Sequence, residues 1–446
     1  MNNRRDIPAT RVLIEQGIAA GLHIGAQVYV SINGAPVADL AFGQSRPGVP
    51  MTPDTLMLWL SGGKPIGAVA IAQLWERGKL GLDDPVARHI PEFGQNGKEP
   101  ITIRHILTHT AGFRWVATGW PTASWEQVIA RICQARQEPS WVAGKKAGYS
   151  PYTSWFILGE IVRRLDGRDY HRYVRDEIFL PLGMRDSWMA LPADRYRAYG
   201  DRIGIMQKTD EEGGPSDAGL DTEESAGASR PGGSGRGPAR ELGWFYEMLL
   251  GFAPGATDRT RSPSPGTPGE GWGEGLVSTT ETSFKTGMPL TPALSRSTGR
   301  GRKTPTAGKI NSPIHDQCPP DSPDGASRLP HILLPQTIEA LIARHRTGMK
   351  DTTFNHVMDW GLGFQVNSSL YGSDAVPYGL GPHASPRAFG HGGSQSSASF
   401  ADPEHGLAVV VICNGRPGEP AHQKRIRAIL AAIYEDLGFG GMTNEE

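Results

Sequence analysis

The chain is poor in cysteine: three in 446 residues, at positions 133, 318 and 413. An odd, widely spaced set builds neither a disulfide framework nor a CxxC metal site, and a reducing compartment is expected. Charge of one sign is equally lacking. Lys plus Arg (45) almost cancels Asp plus Glu (46), which points away from nucleic acid and from an anionic membrane surface. No apolar run reaches the 18 residues of a membrane span. The start, "MNNRRDIPATRVLIEQG", has two arginines and no apolar stretch of signal-peptide length, so a cytoplasmic location is expected.

Glycine (58) and proline (36), by contrast, are plentiful and partly pooled. Between residues 254 and 328 the chain reads "SPSPGTPGEGWGEG", "PLTPALSRSTGRGRK" and "CPPDSPDG". Such a stretch buries too little apolar surface to offset its ordering entropy, and is expected to be a disordered, low-complexity insertion. Arg300, Arg302 and Lys303 form a solvated basic cluster within it.

Outside that stretch the periodicity is regular. An amphipathic helix over 8–22 precedes "AQVYVSI" and "PVADLAFG", two β-rich runs joined by "NGA", a hairpin signal. Helices are expected behind residue 61 and over 101–113, 154–167, 170–184, 237–251 and 334–345. "FGHGGSQSSASFAD" (389–402) and "GLAVVVICN" (406–414) read as two antiparallel strands joined by "PEHG", and 422–438 as a closing helix. Strands at both ends with helices between them imply an α+β fold. Its antiparallel sheet comes from residues 8–60 and 329–440, and a helical lobe from 61–253, together one domain over 1–446 interrupted by the insertion.

"WLSGGKP" (59–65) puts Ser61 and Lys64 three residues apart at a helix start. Positions i and i+3 share a face, so the amine reaches the hydroxyl, and a lysine of lowered pKa activates a serine nucleophile. Gly62 and Gly63 keep the approach to Ser61 open, and Pro65 is tolerated in a first turn.

Behind this comes "PIGAVAIAQLWERGKLGLDDPVARHIPEF", then "ITIRHILTHTAGF". Together they resemble the serine β-lactamase and penicillin-binding superfamily, above all the class C β-lactamases, DD-peptidases and related esterases. The resemblance spans roughly residues 10–252 and 329–437. It implies a β-lactamase/transpeptidase-like fold and an acyl-enzyme mechanism on a small-molecule acyl substrate, with no metal and no organic cofactor. The second element of such proteins is Tyr-x-Asn. Here "AGYSPYTSW" supplies Tyr149 in register, three positions ahead of the alternative Tyr152, but Pro151 stands where the asparagine belongs. Tyr149 is then implied as proton acceptor from Ser61 and donor to the leaving group. Loss of the amide at 151 favours an ester over a β-lactam.

The third element is "FGHGGSQSS": His391, Gly392 and Gly393 match a His-x-Gly variant, with His391 lending polarity or charge. By the same resemblance the oxyanion hole is the backbone N–H of Ser61 and of Ser394. His105 and His109 have a zinc-compatible spacing but no intervening glutamate, and are expected to be structural. "GGSGRG" (232–237) mimics a phosphate loop without its lysine, and Asn367-Ser368-Ser369 matches a glycosylation pattern. The leading reading is an esterase-like serine hydrolase. A true β-lactamase or DD-peptidase, and a catalytically silent binding or scaffold member, remain open alternatives, and nothing in the sequence assigns an oligomeric state.

Overall fold

The computed structural model describes residues 6–210, 214–252 and 332–440. The expected insertion at 254–328, with Cys318 and the basic cluster, lies outside the described residues. The described chain falls in one compact unit built from both ends of the sequence.

Its centre is a seven-stranded sheet. The N-terminal part contributes β1 (Gly25–Ile32), β2 (Ala35–Arg46) and β3 (Val49–Pro50). The C-terminal part contributes β4 (Gln365–Val366), β5 (Phe389–Gly393), β6 (Ser397–Asp402) and β7 (Leu407–Cys413). The order is β4-β5-β6-β7-β1-β2-β3, every pair antiparallel. The junction of the two chain ends is the β1–β7 ladder, in register from Ala26↔Cys413 to Ile32↔Leu407.

β7 reads "LAVVVIC" without alternation because both its faces are covered. Val409 and Val411 pack with Val28, Val30, Ile426 and Ile433, beneath α1 (Pro8–Ala19) and the C-terminal helix Glu419–Asp436. Val410 and Ile412 face the helical lobe with Tyr29, Phe245 and Tyr246. In that lobe α2 (Lys64–Glu76) is buried from Lys64 to Leu74, packed against α3 (Thr153–Asp166). No helix among the described residues is long and apolar enough to cross a membrane.

Two expectations change. "FGHGGSQSSASFAD" is not one strand but the hairpin β5–β6. Gln395 takes φ +52° and the Ser396 N–H donates to the Gly393 carbonyl, closing a turn. The helix expected over 101–113 shrinks to Ile103–Leu107. His109 there turns to φ +57°, and its Nδ1 accepts from the Ser150 N–H, so the segment buttresses the Tyr149 loop rather than continuing. A helix at Trp125–Gln134 escaped the periodicity reading, although Ser124 and Gln127 form a capping box over its start.

Candidate active site

Ser61 lies in the short 3₁₀ turn Leu60–Gly63 that feeds α2. Leu60 before it adopts φ +51°, a left-handed conformation costing a branched side chain about 1–2 kcal/mol. Its side chain packs among Leu58 and Met206. The two neighbouring glycine sites are explained by close approach. A Cβ on Gly62 would come within 3.2 Å of Ser399 Oγ, and one on Gly393 within 2.5 Å of the Trp59 carbonyl. The strand edge of β5 therefore lies directly on the Ser61 turn.

Lys64 is fully buried. Its Nζ is 2.9 Å from Ser61 Oγ, 2.8 Å from the Pro151 carbonyl and 2.5 Å from the Gly232 carbonyl. Burial, with the Arg230 guanidinium nearby, holds its pKa well below the usual lysine value. A neutral amine has two N–H donors and one lone pair. In that neutral form, with both donors spent on the two carbonyls, the lone pair would face Ser61 Oγ. Pro151 contributes through its backbone what its side chain lacks, and "GGSGRG" is a lysine-holding loop, not a phosphate loop.

Tyr149 is buried and lines the same cleft as Ser61, close enough for Ser61 to bear on its phenol. Burial raises its pKa, so it is a neutral phenol at ordinary pH. Its ring is stacked on Trp360 (5.8 Å) and flanked by Phe354 (4.9 Å), His109 (4.7 Å) and His391 (5.7 Å). The Tyr149 N–H donates to Asp351 Oδ1 (3.0 Å), which also accepts from the N–H groups of Thr353 and Phe354. Asp351 Oδ2 in turn sits 3.1 Å from the Arg346 guanidinium, with both side chains buried. The sequence reading marked neither Asp351 nor Arg346; the Asp-Thr-Thr run at 351–353 is the local signal that could have found the first.

His391, on β5, is buried and uncharged. Desolvation, then the charge of Lys64, pushes its pKa down to about 3. It supplies polarity but not the charge also considered for it. Its Nδ1 bonds the Gly392 carbonyl (2.7 Å), while Nε2 has no partner among the described residues. Ser61, Tyr149, His391, Gly392 and Ser394 all line one cleft of about 660 Å³. Tyr152 lines it too, 43 % exposed, where Tyr149 is 7 %. Of the two tyrosines, Tyr149 is the buried one.

The remaining motifs have other uses. His105 Nδ1 accepts from the Thr102 N–H in a capping box, and no metal-holding cluster occurs among the described residues. Asn367 is buried, its amide donating to the Ala384 and Ser385 carbonyls.

A sequence profile of the family described as Beta-lactamase matches residues 11–306 and 325–433. The chain belongs to the Beta-lactamase family. It is similar to "Esterase EstB" of Burkholderia gladioli, 32 % identical over 39 % of this chain and 49 % of that one. It is also similar to "Esterase/beta-lactamase LipL" of Mycobacterium tuberculosis, 30 % identical over 35 % and 37 % of the respective chains. The matches thus span about half or less of these relatives' length. A solved penicillin-binding protein homologue from Caulobacter crescentus superposes with a TM-score of 0.63 at 25 % identity, covering 96 % of this chain and 97 % of that one. A family VIII carboxylesterase, 21 % identical, has the same fold (TM-score 0.63; 96 % and 97 % covered).

Proposed function

We propose that the protein is a serine hydrolase that cleaves a small ester through an acyl-enzyme. The observation that carries this is the placement of Ser61 Oγ between a buried, pKa-lowered lysine and a buried neutral tyrosine. Ser61 Oγ attacks the ester carbonyl as its proton passes to the Lys64 lone pair. The backbone N–H groups of Ser61 and Ser394 receive the developing oxyanion. Tyr149 gives its proton to the departing alkoxide and regains one from Lys64, so the alcohol leaves neutral and the acyl group stays on Ser61. Water then attacks the acyl-enzyme, the proton route runs in reverse, and the acid is released. The acceptor role that the resemblance gave to Tyr149 passes to Lys64, while the donor role stays. The esterase names of the two relatives, and the missing side-chain amide at Pro151, support an ester over a β-lactam.

The test is a panel of short- and long-chain 4-nitrophenyl esters beside nitrocefin, with wild type and Ser61→Ala. Wild type is expected to turn over esters and to be labelled at Ser61 by a fluorophosphonate. Ser61→Ala should lose about 10⁴-fold or more in kcat. A Ser61→Ala protein of near wild-type turnover removes Ser61 from the reaction, and an unlabelled, inert wild type would favour a silent binding role.

A further inference from the structure

The cleft that holds Ser61 is unevenly charged. Among the described residues lining it none is lysine or arginine, while Glu419 is a carboxylate. Glu419 accepts hydrogen bonds from the Tyr378 hydroxyl at Oε1 (2.5 Å) and from Gln423 Nε2 at Oε2 (3.3 Å). Neither partner carries a charge, so the carboxylate is solvated but not neutralised.

Among the described residues no cation forms an ion pair with Glu419, and Lys64, His391, Arg114 and Arg230 have other partners. Lys64 is buried beneath the floor with its pKa lowered, and His391 is uncharged. Arg114 is bonded to Glu138. Arg230 is stacked between Trp120 (4.1 Å) and Tyr152 (4.8 Å). An acidic residue in the first turn of a helix suits the helix dipole by itself. Here, however, the same residue also lines the reaction cleft and ends an aromatic wall. Phe354 links Tyr149 (4.9 Å) to Tyr378 (5.7 Å), whose hydroxyl is bonded to Glu419. Aromatic faces attract cations, and a carboxylate beside them adds a Coulombic term of the same sign. Both repel an anion.

We propose that Glu419 and the Phe354–Tyr378 wall make this cleft a charge selector, favouring esters with an ammonium group near the acyl chain and rejecting carboxylate-bearing ones. The selector rests on the hydrolase reading for its substrate, but not for its binding preference. It gives Pro151 a companion. The chain lacks the amide expected for a β-lactam side chain, and the cleft opposes the carboxylate such a substrate carries.

The experiment compares 4-nitrophenyl esters of three phenylacetic acids, para-substituted with tert-butyl, trimethylammonio or carboxylate. The first two substituents have the same shape and differ in charge. In wild type at low salt, kcat/KM for the trimethylammonio ester should exceed that for the tert-butyl ester by about three- to tenfold, a range set by an exposed cation site. The carboxylate ester should fall below the tert-butyl ester by a similar factor. Both ratios should move towards one in Glu419→Gln, and in wild type at 0.5 M NaCl. If wild type cleaves the tert-butyl ester but shows equal rates across the series, or prefers the carboxylate, the selector is wrong and the hydrolase reading stands.

A second measurement needs no turnover: phenyltrimethylammonium and benzoate binding to wild type and Glu419→Gln, followed by tryptophan fluorescence. Trp115 and Trp360 both line the cleft. Tighter binding of the cation by wild type, lost in Glu419→Gln, upholds the selector even if no ester is cleaved, in which case the hydrolase reading falls alone. Absence of that preference overturns the selector.

Discussion

Asp351→Asn tests how Tyr149 is held. Asp351 is fully buried and gathers three backbone N–H groups, including that of Tyr149, on Oδ1. Asparagine keeps an oxygen for that turn but removes the charge facing Arg346, whose guanidinium is itself buried. Burial lowers the Arg346 pKa to about 10, so the group still carries its charge at neutral pH. Breaking one side of a buried pair costs about 3–5 kcal/mol, because the remaining charge is left uncompensated. Spread over roughly 350 ordered residues, at about 2.1 cal/mol/K each, this lowers Tm by about 4–7 °C.

Activity should fall further than stability explains. Loosening the Tyr149 loop moves the phenol relative to Ser61, so kcat is expected to drop about 10-fold or more at 20 °C, where the protein is folded, with KM little changed. Scanning calorimetry gives the first number and 4-nitrophenyl ester kinetics the second. The double variant Asp351→Asn/Arg346→Met removes both charges, and should recover most of the Tm but not the kcat. A single variant melting within 1 °C of wild type with unchanged kcat would show that the pair neither stabilises the fold nor positions Tyr149.

Lys64→Arg is expected to be nearly as inactive as Lys64→Ala in ester hydrolysis, since a guanidinium cannot accept a proton at neutral pH; an active Lys64→Arg reduces the lysine to an electrostatic neighbour. Acid stability should be set by histidines. His23 and His422 are buried beside Arg425, and His391 beside Lys64; desolvation first, then these cations, pushes each pKa down to about 3. The unfolded chain binds these protons near pH 6.5 and the folded one does not. Stability is therefore intact above pH 6.5 and is lost from there down to pH 3, at about 1.4 kcal/mol per pH unit for each histidine. Circular dichroism should place the acid transition inside that window and His422→Asn should lower its midpoint; a transition confined below pH 3 refutes the assignment. Finally, removing residues 256–326 should leave melting and ester hydrolysis nearly unchanged, because long surface insertions add little closure entropy. Loss of either places the segment in the working enzyme.

The sequence by itself determined the parts whose physics is local. Ser61 and Lys64 are a helical turn apart, the NGA turn joins adjacent strands, and Tyr149 precedes a helix of regular period. In each the informative residues lie within a few positions of one another. The run "GLAVVVICN" likewise read as a strand; that both its faces are covered came from the fold. What tertiary structure decided depends on groups far apart in the chain. Asp351 meets the Tyr149 amide across 202 residues, and Gly232 meets Lys64 across 168. His109 leaves the helix at φ +57°, and its ring accepts from the Ser150 N–H 41 residues on, a contact that periodicity does not register. The charge of His391 was likewise undecided until the fold enclosed it, since desolvation is a property of its surroundings and not of the residue.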